Sequence, residues 1–122
     1  MIVDRFPGRL VVTPDNSTPG SEGRLCLLFP AKLTMQYGGK KFRAIGHLAT
    51  DKALMFAAHE NGNTITEKGV YWWKNGVRDH GIRENYNVWI WSISESLFVV
   101  ELVNPTGEPK PDLPPFQPTL FG

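Results

Sequence analysis

Apolar and polar residues alternate with a period of two over much of this chain, as in strands that bury one face. Three residue pairs, Gly38-Gly39, Asn61-Gly62 and Asn75-Gly76, punctuate the pattern and supply the positive φ of a type I′ hairpin turn. Before the first pair, Lys32-Leu33-Thr34-Met35-Gln36-Tyr37 alternates polar and apolar. After it, Phe42, Ala44, Gly46 and Leu48 share a face opposite Arg43, Ile45 and His47. A hairpin centred on Gly38-Gly39 is the expected element. Upstream, Arg9 to Thr13 and Arg24 to Phe29 read as strands joined by the turn-rich loop Pro14 to Gly23. Downstream, Val70 to Trp73 and Val77 to Ile82 flank Asn75-Gly76. Asn87 to Ile93 and Leu97 to Val103 are dense in β-branched and aromatic residues, which predicts two central strands buried on both faces. Ser94-Glu95-Ser96 is the expected turn between them.

One segment resists the pattern. Ala53, Leu54, Met55, Ala57 and Ala58 favour helix intrinsically, with Thr50 or Asp51 as N-cap and Gly62 as the stop. A short helix near 51–60 is therefore expected, with a strand from Ala53 to His59 as the alternative. The last nineteen residues differ again, since 104–122 hold six of the ten prolines. Proline lacks an amide hydrogen and fixes φ, so this segment reads as an extended, polyproline-like arm. The fold class is thus mainly β. We expect a single-domain small barrel or sandwich of about seven or eight short antiparallel strands over 1–103, followed by a Pro-rich C-terminal arm over 104–122.

Composition narrows the setting. Length and a 41% hydrophobic content suffice for a real core. Cys26 stands alone, so no disulfide framework is expected. The start MIVDRFPGRL carries Asp4 and no apolar run, unlike a signal peptide, and no stretch reaches the roughly 18 apolar residues of a membrane span. A cytoplasmic protein without membrane contact is the expectation. The net charge of +1 hides an asymmetry: 23–50 contain no acid but carry Arg24, Lys32, Lys40, Lys41 and Arg43. That pattern fits either an anionic partner or pairing with acidic neighbours in the folded sheet.

Catalytic motifs are missing from the sequence. His47, His59 and His80 lack zinc-site spacing, Cys26 sits in an apolar run, and no nucleophile has a neighbouring base. An enzyme assembled from the three distant histidines is the weakest of three readings, and neither a metal nor a cofactor is expected. Aromatics beside cations say more. Tyr37, Trp72 and Trp73 lie near Lys40, Lys41, Arg43, Lys74 and Arg78. Exposed rings stack on bases, at about 1–3 kcal/mol each, while Lys and Arg neutralise phosphates. Tyr37 with Trp72 or Trp73 are the expected stacking groups, and the five cations the phosphate contacts. Trp89 and Trp91 share one face and Val88 and Ile90 the other, and these two tryptophans are expected to fill the core and the arm's landing site.

The arm adds a second theme. Gln117-Pro118-Thr119-Leu120-Phe121 resembles the Q-x-x-L-F peptide by which many bacterial replication and repair proteins bind the DNA sliding clamp, although Pro118 replaces the usual Leu. Asp112-Leu113-Pro114-Pro115-Phe116 is similar, more distantly, to the acidic tip of bacterial single-stranded-DNA-binding proteins. The resemblance implies partner-binding roles for Leu113, Phe116, Gln117, Leu120 and Phe121. The same side chains can instead pack on the barrel or on a second subunit, so a homo-oligomer is a further expectation. The leading reading is a non-enzymatic, single-stranded DNA- or RNA-binding barrel with a docking arm. The alternative is a protein–protein module of phage, viral or bacterial origin, such as an inhibitor of a host complex or a virion component.

Overall fold

The computed structural model describes residues 3–13, 23–47, 53–73 and 82–106. Its elements follow as β1 (Asp4–Thr13), β2 (Arg24–Leu28), α1 (Ala31–Tyr37), β3 (Lys41–His47), β4 (Ala53–Ala58), β5 (Asn63–Thr64), β6 (Val70–Trp73), β7 (Tyr86–Ser94) and β8 (Leu97–Pro105). The strands form one antiparallel sheet in the order β5-β3-β4-β8-β7-β1-β2-β6, curled into a nearly closed barrel. The expected mainly-β class is what the chain adopts. Residues 74–81 and 107–122 lie outside the described residues, and with them the Asn75-Gly76 turn and the arm.

The sheet's two ends meet at β5 and β6. Thr66 N–H donates to Val70 O at 2.9 Å in the turn joining them, and Asn63 Nδ2 donates to Trp72 O at 2.8 Å. From inside, the Tyr71 hydroxyl donates to Phe42 O at 2.9 Å and ties β6 to β3. The seam is held by side chains where the rest of the barrel uses a backbone ladder. At Gly69 the turn takes a φ of +83°, and a Cβ there would also strike the Thr34 side chain, so only glycine fits.

Small aliphatics and rings fill the interior. Leu10, Leu25, Leu27, Val88, Ile90 and Val100 point inward with Phe42, Phe56, Tyr71 and Phe98. Phe98 is the hub, with ring centroids 4.9 Å from Phe42, 4.8 Å from Phe56, 5.3 Å from Tyr37 and 5.4 Å from Phe29. Such a buried ring carries about 3–5 kcal/mol against truncation to alanine.

Two segments exchange their expected structures. Residues 32–37, expected as a strand, form α1, because Leu33 and Tyr37 lie four apart and are both buried in the helix. A strand would bury Met35 with them, but Met35 is 88% exposed. Gly38-Gly39 does turn the chain, though not as a type I′ hairpin. Gly38 has φ −56° and ψ 136°, Gly39 has φ +83°, and Lys40 N–H donates to Tyr37 O at 3.1 Å. Those are type II values. Conversely, 53–58 form β4 instead of the expected helix, because β3 and β8 flank the segment and satisfy its backbone on both sides. Pairing on both edges outweighs a propensity difference of a few tenths of a kcal/mol per residue.

β1 starts five residues earlier than expected and contains Pro7. The proline is tolerated because β7 pairs with Asp4 to Leu10 while β2 pairs only from Arg9 onward, leaving one edge of Pro7 unpaired. β7 and β8 are central, as expected. Their burial on both faces is partial: Phe98, Val99 and Val100 are buried in succession, whereas Glu101 is half-buried and Val103 exposed.

Candidate functional site

Strand parity divides the expected stacking residues. On β6, Tyr71 and Trp73 point into the barrel, so Trp72 must point out, and it is 42% exposed. Trp73 is 7% exposed and packs its ring 5.0 Å from Phe56 and from Tyr71. Tyr37 is fully buried and plugs the end of the barrel. Its hydroxyl donates to Ser94 O at 2.7 Å and shares a 2.9 Å hydrogen bond with Ser92 Oγ. Burial pushes the Tyr37 phenol above its ordinary value, against the opposing Ser92 bond. Tyr37 and Trp73 are therefore corrected from stacking groups to core residues, since a base needs an open ring face.

One cation lies beside Trp72, and others point outward on β3 across the seam. The Arg24 guanidinium carbon lies 5.9 Å from the Trp72 ring centroid, within cation–π reach. Lys41 and Arg43 alternate with the buried Phe42 on β3, so both point outward, and Lys40 is exposed just before them. β5 connects the two groups: it pairs with β3 at Lys41↔Thr64 and Phe42↔Asn63, and Asn63 holds the Trp72 carbonyl. The sequence of outward groups across the seam is thus Arg24, Trp72, Lys41 and Arg43. Lys74 and Arg78 lie outside the described residues. Beneath this face, Cys26 pairs in register with Trp72, and its burial pushes the thiol up to about 11. A thiol so protonated is a poor nucleophile.

A second aromatic cluster was not anticipated. Val88 and Ile90 occupy the barrel interior, which turns Trp89 and Trp91 outward, where both are half-buried. The expectation that these tryptophans fill the core is overturned. Alternation gave β7 two apolar faces, and the register that places Val88 and Ile90 inside turns Trp89 and Trp91 out. Arg5 on β1 lays its guanidinium carbon 4.1 Å from the Trp89 centroid and 5.6 Å from that of Trp91. Trp91 Nε1–H donates to Glu101 Oε1 at 3.1 Å. Between them runs a groove of about 570 Å³ lined by Arg5, Tyr86, Trp89, Glu101, Val103 and Pro105.

A bulge shapes that groove. Asn87 pairs with Asn104 and Val88 with Leu102, so Val103 is an extra residue on β8 and is 50% exposed. Ile45, 53% exposed, occupies the same kind of position on β3 between the Ala44↔Phe56 and Gly46↔Met55 pairs. An inserted residue breaks the in–out alternation and bends its strand, which is how two β-branched apolar residues reach the surface. No sequence signal marked Arg5, Glu101 or Val103.

Among the described residues no group of three His, Cys, Asp or Glu could hold a metal, and no helix is long and apolar enough to cross a membrane. His59 Nδ1 accepts the Asn61 N–H at 3.0 Å, a turn contact. His80 and the arm residues Leu113, Phe116, Gln117, Leu120 and Phe121 lie outside the described residues.

Fold and surface together define a small, nearly closed antiparallel barrel with two exterior tryptophan faces. Comparison with protein-family models, with curated proteins and with solved structures gives no match in any of the three.

Proposed function

We propose that the protein is a non-enzymatic binding protein that takes a strand of single-stranded nucleic acid across its Trp72 face. The observation that carries this reading is the exposed Trp72 ring with Arg24 beside it and the outward Lys41 and Arg43 across β5. In this arrangement Trp72 offers a base a flat apolar surface, while Lys40, Lys41, Arg43 and Arg24 meet the phosphates. Stacking tolerates any base, so the reading implies little sequence preference. The Trp89 groove is less suited to the same ligand, because Glu101 stands in it and repels phosphate.

A fluorescence titration with a short single-stranded oligonucleotide tests the proposal. Saturable quenching is expected at low salt, and it should vanish as salt rises, because each neutralised phosphate releases counterions. Quenching that survives in a Trp72→Phe, Lys40→Ala, Lys41→Ala variant would place the ligand elsewhere. No quenching at low salt would remove the proposal.

A further inference from the structure

His59 stands at the edge of the cationic part of the Trp72 face. β4 ends at Ala58, but its ladder with β3 runs one residue further, since His59 N–H donates to Lys41 O at 3.1 Å. That bond continues the register of Phe42↔Ala58 and sets His59 opposite Lys41. On its other side Lys41 pairs with Thr64 of β5. His59 has the parity of Ala57, the partner of Arg43, so it shares the outward face with Lys41 and Arg43. The row His59, Lys41, Thr64 thus crosses three strands toward the seam and Trp72.

The turn beyond β4 holds this residue in place. Gly62 N–H donates to His59 O at 2.9 Å, and a Cβ at Gly62 would strike the Phe42 backbone, so residues 59–62 pack tightly against β3. Within the turn, Asn61 N–H donates to His59 Nδ1 at 3.0 Å. A neutral imidazole that accepts at Nδ1 carries its hydrogen on Nε2, which leaves an N–H to offer a ligand. Protonation would end the Asn61 bond and add a positive charge opposite Lys41. A phosphate beside the ring favours that charged form, so binding of a polyanion and uptake of a proton are coupled.

The charged neighbours are few. Lys40, Lys41 and Arg43 come from β3 and the residue before it, and Glu60 follows His59 in the chain. Glu95 adjoins Ser96, whose carbonyl accepts the Ala58 N–H at 2.8 Å. All five are exposed. β5 contributes only Asn63 and Thr64, and the Glu101 carboxylate of β8 lies at the far end of β4, opposite Ala53.

We infer that His59 is a further contact for the single-stranded nucleic acid and links its binding to a proton, so that the protein holds the strand more tightly as pH falls from 8 to 5. Histidine is the side chain whose charge changes in that window. This rests on the Trp72 reading of the function and adds the regulation of the same face.

The probe is a short oligothymidylate, because neither thymine nor a phosphodiester titrates between pH 5 and 8. Fluorescence anisotropy at fixed, low ionic strength gives its affinity for the full chain at each pH. The wild-type protein should bind about two- to fivefold more tightly at the acid end, the worth of one exposed ion pair. His59→Gln should flatten the profile. His59→Lys, which carries a permanent charge, should flatten it at the tight level, and an unchanged urea midpoint reports that each variant is folded. A profile that is flat in the wild-type protein, or equally steep in His59→Gln, would overturn the inference and leave the Trp72 proposal standing. No binding at any pH would remove both.

Discussion

Trp72 and Trp89 each stand on the outside of the barrel beside an arginine, separated by strands β1 and β2, yet they present different chemistry. The Trp89 face lies over the continuous ladder of β8, β7 and β1, and holds one cation and one carboxylate in a groove. The Trp72 face lies beside the seam, where the ladder stops and Asn63 and Tyr71 bridge it with side chains, and its outward groups toward β3 are cations. An exposed tryptophan therefore specifies little until its neighbours are known. The two faces differ in charge balance and in the backbone beneath them.

The largest expected effect breaks the seam. Tyr71→Phe removes the hydroxyl that satisfies Phe42 O inside the barrel, which should cost about 1–3 kcal/mol in urea unfolding. The comparable change under the ladder face, Trp91→Phe, removes only a half-exposed hydrogen bond to Glu101 and should cost less. Alkaline pH probes the same seam. Burial, against an opposing bond involving Asn63, pushes the Tyr71 phenol up to about 12, above the ordinary value near 10. The folded state then keeps a proton that the unfolded chain loses, so this contribution is full below pH 10 and disappears as pH rises toward 12. The Tyr71→Phe variant should show a correspondingly shallower loss of stability over that window.

Next in size is the ligand side of the comparison. Trp72→Ala should weaken oligonucleotide binding by about 1–3 kcal/mol, read by anisotropy, while Trp89→Ala should leave it unchanged. Equal losses from both would merge the two faces into one site. The cations sharpen the contrast further. Replacing Lys40 and Lys41 together by alanine should reduce the salt slope of log K by about 1.4, at roughly 0.7 per phosphate contact on a single strand. Smallest of all, Glu101→Gln should leave oligonucleotide affinity unaltered and change stability by about 0.5 kcal/mol or less, since the amide oxygen still accepts from Trp91.

Part of the candidate site was readable from the residues alone. Lys40, Lys41 and Arg43 stand in an acid-free stretch, and Trp72 beside Trp73 must differ in facing by one residue. Which of the two faced solvent was not readable, because a one-residue change of register exchanges every inside and outside position of a strand. For the same reason Trp89 and Trp91 were expected inside. Arg5, Trp89 and Glu101 come from three different strands, and nothing local announces a contact made across that distance in sequence.

By itself the sequence determined that the body is β-rich, that Asn87 to Val103 make a hairpin through Ser94 to Ser96, and that a cationic stretch sits beside a tight turn. It also determined that Leu33 and Tyr37 act together, since positions four apart share a face in a helix as well as in a strand. Only the tertiary structure chose between those two periods, by burying Tyr37 as the plug of the barrel and leaving Met35 outside. It likewise turned 53–58 into a strand by offering partners on both edges, and sent the tryptophans of β7 outward by setting the register that buries Val88 and Ile90. Local residues set what each segment can become, and closure of the barrel decides which option satisfies the backbone and the core together.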